Sequence, residues 1–105
     1  MTETTLLAAR PKSVGAMLMR RVEASPSKEA FRYIEDDRWV SLTWSQTKDK
    51  AFQLAAGLLA LGIQPEDRVA IASNTRMEWI RADLAIMCAA GATTSIYPST
   101  QQEDV

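Results

Sequence analysis

Residues Leu58 to Pro98, LLALGIQPEDRVAIASNTRMEWIRADLAIMCAAGATTSIYP, decide the fold. They read as helix end, glycine stop, strand, helix, glycine stop, strand. RVAIAS (68–73) is a short apolar run of the kind found in buried parallel strands. Thr75-Arg76-Met77-Glu78 has capping-box spacing, in which a hydroxyl and a carboxylate each satisfy an orphan helix N–H. It opens a helix expected to run to about Ala90, with Gly91 as its stop and Met77, Ile80, Leu84, Met87 and Cys88 as its inner stripe. Ala92 to Tyr97 is the second strand. Two strands joined by a helix form a right-handed crossover and pair in parallel. The expected class is α/β.

Upstream, Thr43-Trp44-Ser45-Gln46 is another capping box. It starts a helix that continues to about Leu61 and stops at Gly62. The last turns, LAAGLLAL (54–61), are apolar on all sides, so they need cover from several directions. Glu29–Ile34 and Arg38–Thr43 alternate and carry aromatic or branched residues. With Glu35-Asp36-Asp37 as a turn, they predict a β-hairpin, because Asp tolerates turn geometry. Two adjacent Asp could also be read as a cation site, but without further ligands a solvated turn is the better reading. Ser13 caps a first helix over Val14 to Ala24, and Ser25-Pro26 ends it. Val14, Met17, Leu18 and Val22 share one stripe beside Arg20 and Arg21. That pattern suits a helix docked on the domain; membrane-surface contact stays open. Residues 1–12 read as a mobile lead-in, and 13–105 as a partial N-terminal subdomain. A third capping box, Thr100-Gln101-Gln102-Glu103, stands two residues before the last, and with the unfinished βαβ sheet it predicts truncation at the C-terminus.

The totals exclude several classes. The 105 residues suit one small domain, and 47% hydrophobic with 24% charged is globular composition. A net charge of −1 gives no field for nucleic acid, and basic residues are dispersed among acids. No His is present, which removes the commonest general base and metal ligand. The single Cys88 cannot form an internal disulfide, and a reduced, cytoplasmic setting fits. Its run of Ile, Met and Ala should raise its pKa and hide it, so an inert core thiol is expected rather than a nucleophile. No secretory leader or membrane-length apolar run is visible.

Chemistry-bearing motifs are scarce. There is no CxxC, no zinc spacing, no GxGxxG and no Walker loop. Ser73-Asn74-Thr75 and Tyr97-Pro98-Ser99-Thr100 lie at strand carboxyl ends, where open α/β sheets bind ligands. Capping and turn formation already account for both. No residue is assigned a catalytic, cofactor-binding or metal role.

Three blocks carry a likeness: FRYIEDDRWVSLTW (31–44), WSQTKDKAFQLAAGLLALGIQPEDRVAIAS (44–73) and NTRMEWIRADLAIMCAAGATTSIYPST (74–100). In order and spacing they resemble the N-terminal segment of the AMP-dependent synthetase and ligase family, the adenylate-forming enzymes. Glu78-Trp79 and the Ile-Tyr-Pro-Ser-Thr ending are most similar to bacterial long-chain fatty-acid–CoA ligases. The resemblance implies a hairpin plus an incomplete βαβ unit of the large domain. It also implies a parent reaction of fatty acid, ATP and CoA, assisted by magnesium, through an acyl-adenylate. The family's phosphate loop, Tyr-Gly-x-Thr-Glu motif, ribose-binding Asp and catalytic Lys have no counterpart here. The expectation is therefore an inactive scaffold fragment that binds none of these cofactors. Partners would be fatty acid, ATP and CoA for the parent, without nucleic acid, and with peripheral membrane association open. The alternative is a non-catalytic interaction module reusing the same scaffold.

Overall fold

A computed structural model describes residues 2–104. Both Met1 of the lead-in and Val105 of the 13–105 unit lie outside the described residues. The order is α1 (Glu3–Ala8), α2 (Val14–Ala24), β1 (Glu29–Glu35), β2 (Arg38–Thr43), α3 (Trp44–Ala60), β3 (Arg68–Ala72), α4 (Met77–Cys88), β4 (Ala92–Ile96) and a 3₁₀ turn at Gln102–Asp104. The lead-in thus holds a six-residue helix that no periodic pattern predicts.

β1 and β2 form an antiparallel hairpin, with Glu35 opposite Arg38. Asp36 and Asp37 both take positive φ, 52° and 60°. Two such residues make the turn whose twist matches the flanking strands. β3 and β4 pair in parallel over five positions, Arg68 with Ala92 through Ala72 with Ile96. The hairpin and the parallel pair are separate two-stranded sheets.

The helices between them make the core. α4 packs on α3 along one side and on β3 and β4 along the other, while α2 lies across both helices. Ala55, Ala85 and Ala89 meet between α3 and α4. Small side chains there let the two helices approach closely. Leu18 and Val22 of α2 join Ala51 in a second cluster, bordered by Trp44, Leu84 and Cys88. Leu18 and Val22 of the α2 stripe are therefore buried against the domain, whereas Val14 and Met17 stay exposed.

The capping expectations divide. Ser13 Oγ accepts from the Ala16 N–H at 3.1 Å. The Thr43 box is complete: Gln46 N–H donates to Thr43 Oγ1, and Thr43 N–H donates to Gln46 Oε1. The Thr75 box does not form. Helix α4 starts one residue later than that spacing requires, with Arg76 at the cap and no side-chain cap bond. Glu78 instead accepts from Arg76 Nε at 2.7 Å. At Thr100 the chain makes one 3₁₀ turn rather than a boxed helix.

Gly62 stops α3 as expected. Its φ is +98°, and the Gly62 and Ile63 N–H groups return to the Leu59 and Leu58 carbonyls. At the end of α4 the same motif is shifted. Ala90, not Gly91, takes the left-handed position, at φ 64°. Gly91 serves a different need. A Cβ there would stand 3.0 Å from Ile86 Cγ2 and 3.2 Å from the Asp67 carbonyl, too close for either to remain in place. The inner stripe of α4 also differs from the amphipathic expectation. Met77, Ala85, Ile86 and Ala89 are buried, whereas Ile80, Leu84, Met87 and Cys88 are only partly covered. A helix between another helix and a sheet has two inward faces, and a single stripe cannot describe it.

Candidate functional site

The crossover places the carboxyl ends of β3 and β4 side by side, so Ser73 and Tyr97 emerge from neighbouring strands. Both segments singled out in the sequence are therefore brought to one edge. Their polar groups do not converge on a common point. Ser73 Oγ donates to the Asn74 carbonyl at 2.9 Å. Asn74 and Thr75 are exposed. The Thr100 N–H closes a turn on the Tyr97 carbonyl at 3.0 Å, and Tyr97 is 72% exposed. Arg76 next to this edge is paired with Glu78, whose carboxyl is held below its ordinary range chiefly by that bond. Among the described residues no three His, Cys, Asp or Glu side chains gather as a metal site. The polar groups of this edge are taken up by turns and by the Arg76–Glu78 pair.

Cys88 is half-buried, and burial pushes its thiol pKa up, as the sequence implied. A thiol held in that state is a weak nucleophile.

Two polar ties were not legible in advance. Arg81 Nη2 donates to Tyr33 Oη at 3.0 Å, and its guanidinium lies 5.8 Å from the ring centroid. The Arg81 Nε is buried without a partner. Thr93 Oγ1 donates to Asp83 Oδ1 at 2.7 Å. These pairs fasten the hairpin and β4 to α4. The only signal in the sequence was the presence of Arg81 and Asp83 in a helix that is otherwise apolar after Glu78.

The feature with the shape of a binding surface is apolar. A trench of about 430 Å³ lies between the C-terminal turns of α3 and strand β3, over α4. Leu54, Leu58 and Leu61 form one wall, Val69 to Ile71 the other, and Ala82, Ala85 and Ile86 the floor. Leu61 is 84% exposed, and Leu54 and Leu59 are about half exposed. The helix end that was expected to need cover is uncovered on this side.

Comparison with known proteins accounts for this architecture. Residues 18–105 match the AMP-binding enzyme family. A long-chain-fatty-acid–CoA ligase of Mycobacterium bovis is 32% identical over 93 residues, which is 89% of this chain and 16% of that protein. A mitochondrial medium-chain acyl-CoA ligase of Homo sapiens is 30% identical over 86% of this chain and 14% of its own length. The crystal structure of a fatty acid AMP ligase from Legionella pneumophila superposes with a TM-score of 0.79 at 25% identity, covering 98% of this chain and 18% of that one. A Mycobacterium tuberculosis fatty acyl CoA synthetase superposes with a TM-score of 0.72 at 30% identity, covering 85% and 17%. The chain thus spans about a sixth of the length of the relatives it matches. The hairpin, the parallel pair and the packed helices correspond to the N-terminal part of such structures. On this evidence the chain belongs to the AMP-binding, adenylate-forming enzyme family.

Proposed function

We propose that this chain is a scaffold portion of a fatty-acid–CoA ligase, with residues 13–105 a partial N-terminal subdomain behind the 1–12 lead-in. The reaction of the whole enzyme joins a fatty acid to ATP, releases pyrophosphate and passes the acyl group from the adenylate to CoA, with magnesium as the metal. Support comes chiefly from the 93-residue match to a long-chain-fatty-acid–CoA ligase, which takes in 89% of this chain. The residues described above are occupied in caps, turns and interelement ties, which suits framework rather than chemistry. Cytoplasmic residence belongs to the same proposal, supported by the lone thiol and the lack, among described residues, of a helix able to cross a membrane. Peripheral membrane contact through the exposed side of α2, where Arg20, Arg21 and Met17 lie, belongs to it as well. Liposome co-sedimentation that survives Arg20→Glu with Arg21→Glu would remove that element.

The test of the main reading is acid-dependent ATP–pyrophosphate exchange. The purified 105-residue chain should show none above background with fatty acids of any length. Exchange by the isolated chain would overturn the assignment of these residues to framework alone. A second reading, a non-catalytic interaction module on the same scaffold, is favoured by the open trench. A cooperative melt from a monodisperse monomer would support it; a broad, non-cooperative melt would count against it.

A further inference from the structure

Helix α2 carries an apolar stripe with one cation in line with it. Val14, Met17, Leu18 and Arg21 are spaced three or four apart and so lie on one face of the helix. Against that face runs an open groove of about 330 Å³, which shares no residue with the β3 trench. Phe31 of β1, Trp44 of α3 and Leu84 of α4 complete its lining. The Phe31 and Trp44 rings stand 6.0 Å apart, tilted by 58°. Val14 is 36% exposed and Met17 53%, so apolar surface is left open to water here. Among the described residues that line the groove, Arg21 alone is charged. Its Nη1 donates to Ser25 Oγ at 3.3 Å, and among the described residues it has no carboxylate partner.

An apolar groove with a single guanidinium is complementary to an anion that carries an apolar chain. The guanidinium fork matches a carboxylate, with two N–H donors for two oxygens. An acyl chain needs no hydrogen-bond partner along its length. A peptide would instead bring backbone N–H and C=O groups that these side chains leave unmet. We infer that the groove between α2, the hairpin and α4 binds a free fatty acid. The carboxylate sits on Arg21, and the chain lies across Met17, Leu84 and the Phe31–Trp44 pair. The choice of a fatty acid among amphiphilic anions rests on the ligase reading above; the charge and the apolar lining stand without it. The acid enters as a monomer from solution, and lipid vesicles form a separate arm of the test.

Nitrogen-15 NMR of the purified chain tests this, because the indole signals of Trp39, Trp44 and Trp79 are read separately. The probe is sodium decanoate below its micellar concentration. The Trp44 signal should shift saturably, while those of Trp39 and Trp79, which do not line the groove, stay in place. Arg21→Gln should raise the dissociation constant by about tenfold, the loss of one hydrogen bond to a charged group. Arg21→Lys, which keeps the charge, should raise it by less. Met17→Glu, at an exposed position one turn before Arg21, sets a competing carboxylate beside the guanidinium and should abolish the shift. Leu61→Glu in the trench should leave it unchanged. Unmoved Trp39 and Trp79 signals confirm that each variant is folded. The inference is overturned if the Trp44 shift is absent or does not saturate, if all three indoles move alike, or if Leu61→Glu removes the shift. It is equally overturned if vesicles of phosphatidylcholine and phosphatidylglycerol move Trp44 and decanoate does not, because the face then meets a membrane. Movement of Trp44 on raising the chain concentration alone would also overturn it, with a second copy as the occupant. No nucleotide is present, so failure here leaves the pyrophosphate-exchange test of the ligase reading untouched, and the reverse holds.

Discussion

Ala90 shows how a single residue can hold a conformation its side chain opposes. At φ 64° its Cβ crowds the backbone, a cost of about 1 kcal/mol that glycine avoids. Ala90→Gly should therefore raise the denaturation free energy by about 1 kcal/mol, whereas Gly91→Ala should lower it by forcing Ile86 and the Asp67 carbonyl apart. Urea titration of the three proteins checks both signs. The sequence pointed to Gly91 because glycine is the usual left-handed residue; the register of the last turn decided for Ala90. Glu29 is a second case at this scale. The Ser41 hydroxyl donates to it and Arg32 lies beside it, and together they hold its carboxyl below the ordinary range. A carboxyl with a lowered folded pKa stabilises the hairpin above its unfolded value, and that contribution is lost as pH falls through the folded one. In a carbon-detected NMR titration, Ser41→Ala should move the Glu29 midpoint upward. A midpoint that does not move would remove Ser41 as the cause.

At the scale of elements, the hairpin, α2, α3 and the crossover were legible because each combines one periodicity with one stop signal. α4 was legible as a helix but not in its burial, since it serves α3 and the parallel pair at once. The contact between α3 and α4 depends on alanines, and Ala85 is fully buried between them. Ala85→Leu should push the helices apart and lower stability by about 1–3 kcal/mol, the usual range for overpacking. Ala85→Ser should cost less, because the added hydroxyl is small. Thermal melts of both variants report the order. Tyr33→Phe belongs to this scale too: it removes a bond to Arg81, whose Nε is already unpartnered, and should cost about 1–2 kcal/mol by denaturant titration.

For the molecule as a whole, the deciding fact is that core and open surface adjoin. Ala85 and Ile86 belong to the packed interior and also to the trench floor. The free chain should therefore bind an apolar dye such as ANS, and Leu54→Glu with Leu61→Glu should reduce that fluorescence at least about twofold. Dye binding unchanged by both substitutions would place the open apolar surface elsewhere. The exposed pair Ile34 and Trp39 at the hairpin is another such region.

By itself the sequence determined the elements from α2 to β4, their order, the parallel crossover and the family likeness, because periodicity, caps and turn residues act over a few neighbours. Only the tertiary structure decided that Ser73 and Tyr97 come to one edge with their polar groups held in separate turns and that Arg81 reaches Tyr33. The same is true of the left-handed position at Ala90 and of the trench along β3. Those outcomes depend on distances between segments far apart in the chain, and such distances are set by packing rather than by local preference.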